Sequence, residues 1–513
     1  MPVDSTTPTA AVTETPSASR AGFGGDVLRL ATGTASAQLI GLLAAPLIAR
    51  MFSPSAFGAL AIFAAVAGTV SVVSCLRYET AIYLPEKDEE AANLAVLSLC
   101  LVTLISAITG LLTWMFADVF FRMAHAPELK GYAWLLPINV FVSGTWMILN
   151  SWNQRKRKFG RITILQVVTR VALVSSQIAA GLAGFVSGGV LIATTIFGAF
   201  VTITILGWQT MRDDWRLFIS AFSWEAIRYV RKRYDRFPRF GLAATLLNSA
   251  SFQLPVILLS GFFGMTVAGN YSFGFRVLRV PGMLIGANVN RAFFPRAAEA
   301  KHRGTLGESV ELALQYLVTL SFFPCFLLAL TGGALFVFAL GPKWHEAGVY
   351  AQILSVWLFF WFISSPLNTV FAVLEEQALE LQFQAVNIVT RLVSLVIGGL
   401  FGNARLALAL FALCGVAVYG AYCLAVIRKS RASMVAVGRV TLAQAKMFVP
   451  AAAILLTMNF LRVAPIGITA VTALILAVYY WNLLRTDQTV RGVFKRFVRY
   501  LPFAADQDST AKS

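Results

Sequence analysis

Apolar runs of about 20 residues recur along almost the whole chain, broken by short polar loops. A helix of that length covers roughly 30 Å, the thickness of a bilayer's hydrocarbon core. Fourteen such runs are read, at about 28–50, 55–76, 91–117, 132–152, 161–184, 187–209, 241–262, 267–290, 308–333, 347–373, 380–402, 404–427, 447–462 and 465–484. Only 13% of the 513 residues are charged and 58% are hydrophobic. No soluble fold hides so much apolar surface behind so little charge. The expectation is an all-α polytopic membrane protein with about fourteen transmembrane helices.

A net charge of +18 could signal nucleic-acid binding, but the placement of the charge speaks for membrane topology instead. With the N-terminus in the cytoplasm, the inner segments hold 32 of the 42 Lys and Arg residues, the outer segments 6, and the spans 4. Loops on the cytoplasmic side of a membrane carry the excess of Lys and Arg, so both termini are expected inside. The first 19 residues are rich in Ser, Thr, Pro and Ala and lack Lys and Arg. Residues 1–27 therefore read as a disordered tail and not as a cleaved secretory signal.

The chain resembles itself at two places. Val168-Thr169-Arg170 matches Val389-Thr390-Arg391, and the Pro46 span with Ala56-Phe57-Gly58 matches the Pro255 span with Ala268-Gly269-Asn270. This predicts two six-helix lobes, 28–209 and 241–427, as parallel repeats facing a V-shaped central cavity. A basic linker at 210–240 joins them; its segment 224–240 mixes basic and aromatic residues and reads as an amphipathic helix at the inner headgroups. Two further spans occupy 428–484 and a cytoplasmic tail 485–513.

Arg170, Arg276, Arg279 and Arg391 fall near the middle of spans. An arginine at the bilayer centre costs about 2.5–3.5 kcal/mol on insertion scales. Every Asp and Glu lies in a tail, a loop or a span end, so these cations have no mid-span carboxylate to pair with. A positive, wet cavity awaiting an anion follows. Arg276 and Arg279, three residues apart, share a helix face; snorkelling and carbonyl pairing are the structural alternatives. Asn248 and Asn288 are weaker candidates for sugar hydroxyls, among amides that also glue helices together. Pro46, Pro255 and Pro281 interrupt spans and are candidate kinks for a gate. Glu79 and Glu311, nearest the membrane, are the candidates for ion coupling.

No catalytic nucleophile–base pair and no paired carboxylates are visible. Cys75, Cys100, Cys325, Cys414 and Cys423 lie scattered in apolar runs, and His125, His302 and His345 sit in separate loops. Neither set has metal-ligand spacing. No enzyme, cofactor or metal site is expected.

Certain short motifs carry a resemblance. Ser53-Pro54-Ser55-Ala56-Phe57-Gly58 and Leu76-Arg77-Tyr78-Glu79-Thr80-Ala81-Ile82 are similar to the loops after the first and second spans of the polysaccharide flippases of the MOP superfamily, the Wzx-type translocases. Tyr234-Asp235-Arg236-Phe237-Pro238, Leu254-Pro255-Val256, Ala268-Gly269-Asn270-Tyr271, Arg276-Val277-Leu278 and Phe294-Pro295-Arg296 resemble that family's seventh and eighth spans. The likeness runs over about 28–300 by motif and to about 484 by span pattern. It implies a two-lobed inner-membrane bundle that carries an undecaprenyl-diphosphate-linked oligosaccharide between leaflets by alternating access, for exopolysaccharide or O-antigen export. Membrane lipids, and a polysaccharide polymerase with its export machinery, are the partners it implies; nucleic acid is not. A peptidoglycan-precursor flippase and a multidrug exporter of the same superfamily remain alternatives, with a membrane polymerase or ligase behind them.

Overall fold

The computed structural model describes residues 17–123 and 127–486. Residues 1–16, His125 and the tail from 487 onward lie outside the described residues, as do the side chains of 280–296, among them Pro281 and Asn288.

Among the described residues there is no strand. The helices are α1 (Ser17–Met51), α2 (Pro54–Ser74), a short α3 (Tyr78–Ala81), α4 (Asp88–Met123), α5 (Leu135–Arg155), α6 (Phe159–Leu182), α7 (Gly188–Ala221), α8 (Trp224–Arg233), α9 (Leu242–Phe263), α10 (Met265–Arg303), α11 (Leu306–Leu340), α12 (His345–Ser364), α13 (Asn368–Leu374), α14 (Gln377–Leu400), α15 (Ala404–Ser430), α16 (Met434–Phe460) and α17 (Pro465–Thr486). Local chemistry sets several starts. Ser53 accepts the Ala56 N–H at 3.2 Å, with Pro54 at the first helical position; Asn403 and Ser433 cap α15 and α16 in the same way.

Each of the fourteen apolar runs falls on a helix, and twelve described helices are long and apolar enough to cross a membrane. The chain is a multi-pass membrane protein. The two remaining runs form α5 and α10, whose polar residues, such as Asn139 and Asn150 in one and Arg276 and Arg279 in the other, dilute their apolar character. Helix ends run past the expected span ends. α7 continues to Ala221 and α16 starts at Met434, because hydropathy marks where hydrocarbon ends, whereas Arg, Lys, Asp and Gln continue a helix readily outside it. The tenth run divides into α12, a single 3-10 turn at Ser365–Leu367, and α13.

α1 lies along α6, while α2 lies along both α10 and α9 and so joins the two halves of the chain. At one end of that seam the backbones nearly touch: a Cβ on Gly58 would sit 1.9 Å from the Met265 carbonyl oxygen, and one on Gly269 would sit 1.8 Å from that of Pro54. Only glycine permits this approach. Phe57, Phe273 and Trp344 pack edge to face and tilted around it, with ring centroids 4.5–5.3 Å apart. The buried Trp344 donates its indole N–H to the Ala49 carbonyl at 2.8 Å, Lys343 donates to the Arg50 carbonyl, and Arg50 donates to that of Phe338. The loop before α12 thus latches onto the end of α1.

The linker helix α8 buries Ile227 and Val230 against the first half and leaves Trp224 and Tyr229 exposed. Arg233 pairs with Glu90 at 3.0 Å, and the Tyr78 hydroxyl donates to the Arg231 carbonyl. The expected amphipathic helix is thus shorter than 224–240 and one face of it docks on the protein itself.

Candidate functional site

The four mid-span arginines occupy two different kinds of surroundings. Arg276, on α10, is exposed and makes no hydrogen bond or ion pair among the described residues. Arg170, on α6, is half-buried, and its guanidinium lies against α1, where a Cβ on Gly41 would sit 3.3 Å from Cζ. The two charges stand close enough to repel each other. Both cations stand at membrane depth without a carboxylate partner among the described residues, an arrangement that water or an anion would relieve.

Arg279 and Arg391 instead bracket an aromatic stack. Arg279 lies over Phe252 and Phe275 at 5.7 and 5.6 Å. Phe275 stacks on Trp357 at 5.8 Å, and Arg391 lies over Trp357 and Phe411 at 5.7 and 5.4 Å. Desolvated cation–π contacts are worth about 2 kcal/mol, which offsets part of the cost of burial. Arg391 is 7% exposed and also donates to the Tyr419 hydroxyl, which Asn387 reaches at 3.1 Å. The Nε atoms of Arg279 and Arg391 are buried without a partner. Although three residues apart, Arg276 and Arg279 have different environments: Arg276 is exposed and Arg279 is half-embedded in rings.

Asn248, on α9, is exposed, whereas Pro46 and Pro255 sit inside α1 and α9. Glu79 lies in α3, off the spans. It is 2% exposed and pairs with Arg77 at 3.3 Å, while its Oε2 is buried without a partner. Burial pushes its carboxyl up from the ordinary glutamate value, against the pull of Arg77. Glu311 accepts from Gln315 and from the Ser433 N–H, tying the start of α11 to the start of α16.

A cleft of about 680 Å³ opens between α1, α5, α6 and α7; its wall is mostly apolar but carries Arg170 beside Gln38, Trp146, Asn150 and Gln166. Gln38 was legible in the sequence as an amide within a span. The other three were missed; the signal was an amide or indole inside an apolar run.

Among the described residues the protein is an all-helical membrane bundle with cations at depth that pair with no carboxylate. Its fold is that of the MOP superfamily. The chain superimposes on the lipid II flippase MurJ with a TM-score of 0.66, at 12% identity, covering 89% of this chain and 98% of that one. It superimposes on an inward-facing MATE multidrug transporter with a TM-score of 0.58, at 16% identity, covering 79% and 98%. The chain belongs to the polysaccharide biosynthesis protein family, whose model matches residues 47–349, more than half of its length.

Two curated relatives agree. The succinoglycan biosynthesis transport protein ExoT of Rhizobium meliloti (strain 1021) is 22% identical over 275 residues, 50% of each chain. The teichuronic acid biosynthesis protein TuaB of Bacillus subtilis (strain 168) is 26% identical over 153 residues, 30% of this chain and 31% of that protein. The matched region spans half or less of these relatives.

Proposed function

We propose that the protein is a flippase for a lipid-diphosphate-linked oligosaccharide, an undecaprenyl-diphosphate repeat unit, used in polysaccharide export. The observation that carries the reading is Arg276: an exposed cation at span depth with no ion pair among the described residues, near enough to Arg170 to feel its charge and three residues from Arg279. A diphosphate brings the missing anion, and guanidinium groups grip its oxygens in a bidentate way. In this reading Arg276 and Arg279 touch the diphosphate. Arg170 adds field from the cleft, and Arg391 adds it from behind the aromatic stack. Asn248, exposed on α9, is the amide placed to meet sugar hydroxyls, and the side chain of Asn288 lies outside the described residues. A cationic drug would be repelled by the same site, which favours the lipid diphosphate over a drug substrate.

The charge bias supports placement in a bacterial inner membrane with both termini cytoplasmic and fourteen crossings. The halves 28–209 and 241–427 then act as two lobes that rock about the substrate. The glycine crossing and the Trp344 latch close the outer end, and Pro46 and Pro255 lie where α1 and α9 would bend. Polymerase and export machinery would receive the product.

The test is Arg276→Ala combined with Arg279→Ala. Surface polysaccharide should fall at least tenfold while the amount of protein in the membrane is unchanged, and Lys at either position should restore part of the activity. Full export by the double variant refutes the assignment, and loss of the protein itself assigns these residues a structural role.

A further inference from the structure

The cleft inside the first half contains an uncommon set of groups. Among the described residues, Gln38 and Asn150 make no hydrogen bond to protein, and neither does the amide nitrogen of Gln166, whose oxygen accepts from Thr34 at 3.0 Å. Hydroxyls nearby behave differently: Thr195 and Thr202 donate back to carbonyls of their own helix at 2.7 and 3.0 Å. Free amides at membrane depth are costly unless water or a ligand satisfies them. One wall carries the Trp146 indole, 41% exposed.

The chemistry selects the occupant. An apolar acyl chain would leave three amide groups unmet. A cation would face Arg170, with no carboxylate among the residues lining the cleft. A sugar ring has one face of C–H groups for an indole and a rim of hydroxyls for amides, and the cleft is within the usual size range of a small-ligand site. We propose that this cleft is the glycan subsite, holding a sugar of the lipid-linked substrate against Trp146 and hydrogen-bonded by Gln38, Asn150 and Gln166. It rests on the reading of Arg276 and Arg279 as the diphosphate site. Arg170 belongs to the cleft wall and stands near Arg276, so the sugar held there is one close to the diphosphate.

The experiment measures binding to the purified full-length protein in detergent. The probes are bare undecaprenyl diphosphate and the same lipid carrying one glucosyl, galactosyl, N-acetylglucosaminyl or glucuronosyl residue. The wild type should bind at least one glycosylated probe about tenfold more tightly than the bare lipid. Trp146→Ala, and Asn150→Leu combined with Gln166→Leu, should erase that preference and leave bare-lipid affinity unchanged; Trp146→Phe should keep most of it. The unchanged bare-lipid affinity reports an intact fold. The subsite is overturned if the wild type shows no sugar preference, or if both variants retain it. If the wild type fails to bind even the bare lipid, the diphosphate reading falls, and the subsite falls with it.

Discussion

Replacing Gly58 by alanine places a methyl group 1.9 Å from the Met265 carbonyl oxygen, and backbone is the obstacle, so no rotamer relieves it. An ordinary contact is at least 3.4 Å, so α2 and α10 must separate by about 1.5 Å at this end. Overpacking of this kind costs about 1–3 kcal/mol, and 2 kcal/mol moves an equilibrium about thirtyfold. The Phe57–Phe273–Trp344 cluster would loosen with it. Asn270, beside Gly269 and 3% exposed, is a suitable reporter. In a background lacking the five cysteines, Asn270→Cys should react slowly with a membrane-impermeant maleimide added outside cells. Adding Gly58→Ala should raise the rate about tenfold or more and lower export, and Gly269→Ala should do the same. Unchanged labelling and unchanged export in both would refute the idea that this crossing closes the outer end.

Arg391 lies in an aromatic box with a single hydrogen bond to Tyr419. Arg391→Ala should lower thermal stability in detergent by about 2–4 kcal/mol through the void it leaves, whereas Arg391→Met should leave the melting temperature close to the wild type; equal losses in both would mean the charge itself stabilises. Glu79 has its carboxyl raised by burial, so the folded state favours the protonated form. Its contribution to stability is fully present below the ordinary glutamate value of 4.5 and is lost as pH rises through the raised value. Glu79→Gln should therefore flatten the melting temperature against pH in the range above 4.5, and an unaltered profile would contradict the burial argument. Reporter fusions after Lys158, Arg233 and Arg431 should signal cytoplasm, and fusions after Trp344 and Arg462 the outside. Reversal at two or more of these sites would overturn the fourteen-crossing topology.

The helical architecture was legible because hydrocarbon imposes a length and an apolarity on every span; thirteen of the fourteen runs each fall on one helix, and the tenth divides at Ser365–Leu367. The places where sequence and structure part are polar. The run that becomes α10 is the weakest of the fourteen, since Arg276 and Arg279 make it less apolar than its neighbours. Sequence spacing put those two arginines on one face, but it could not show that Phe252 and Phe275 claim Arg279 while Arg276 stays open. The motif residues divide similarly. Ser53, Pro54 and Gly58 serve a helix cap and a helix crossing. Tyr78 and Glu79 lie in a buried joint, where Tyr78 bonds the linker helix and Glu79 pairs with Arg77. Such roles depend on which helices meet, which a pattern along one chain does not encode. The cleft arises from residues on four helices, of which only Arg170 and Gln38 stand out within their own spans.

Reconstitution gives the most direct test of lipid-diphosphate transport. Purified protein is placed in liposomes holding undecaprenyl diphosphate with its glycan in one leaflet, and arrival in the other leaflet is followed with a lectin or enzyme confined to that side. The wild type should move the lipid well above protein-free liposomes, and the Arg276→Ala, Arg279→Ala double variant should fall to that background. Transfer by the double variant at the wild-type rate, or no transfer by the wild type together with export of a cationic dye, would contradict the assignment.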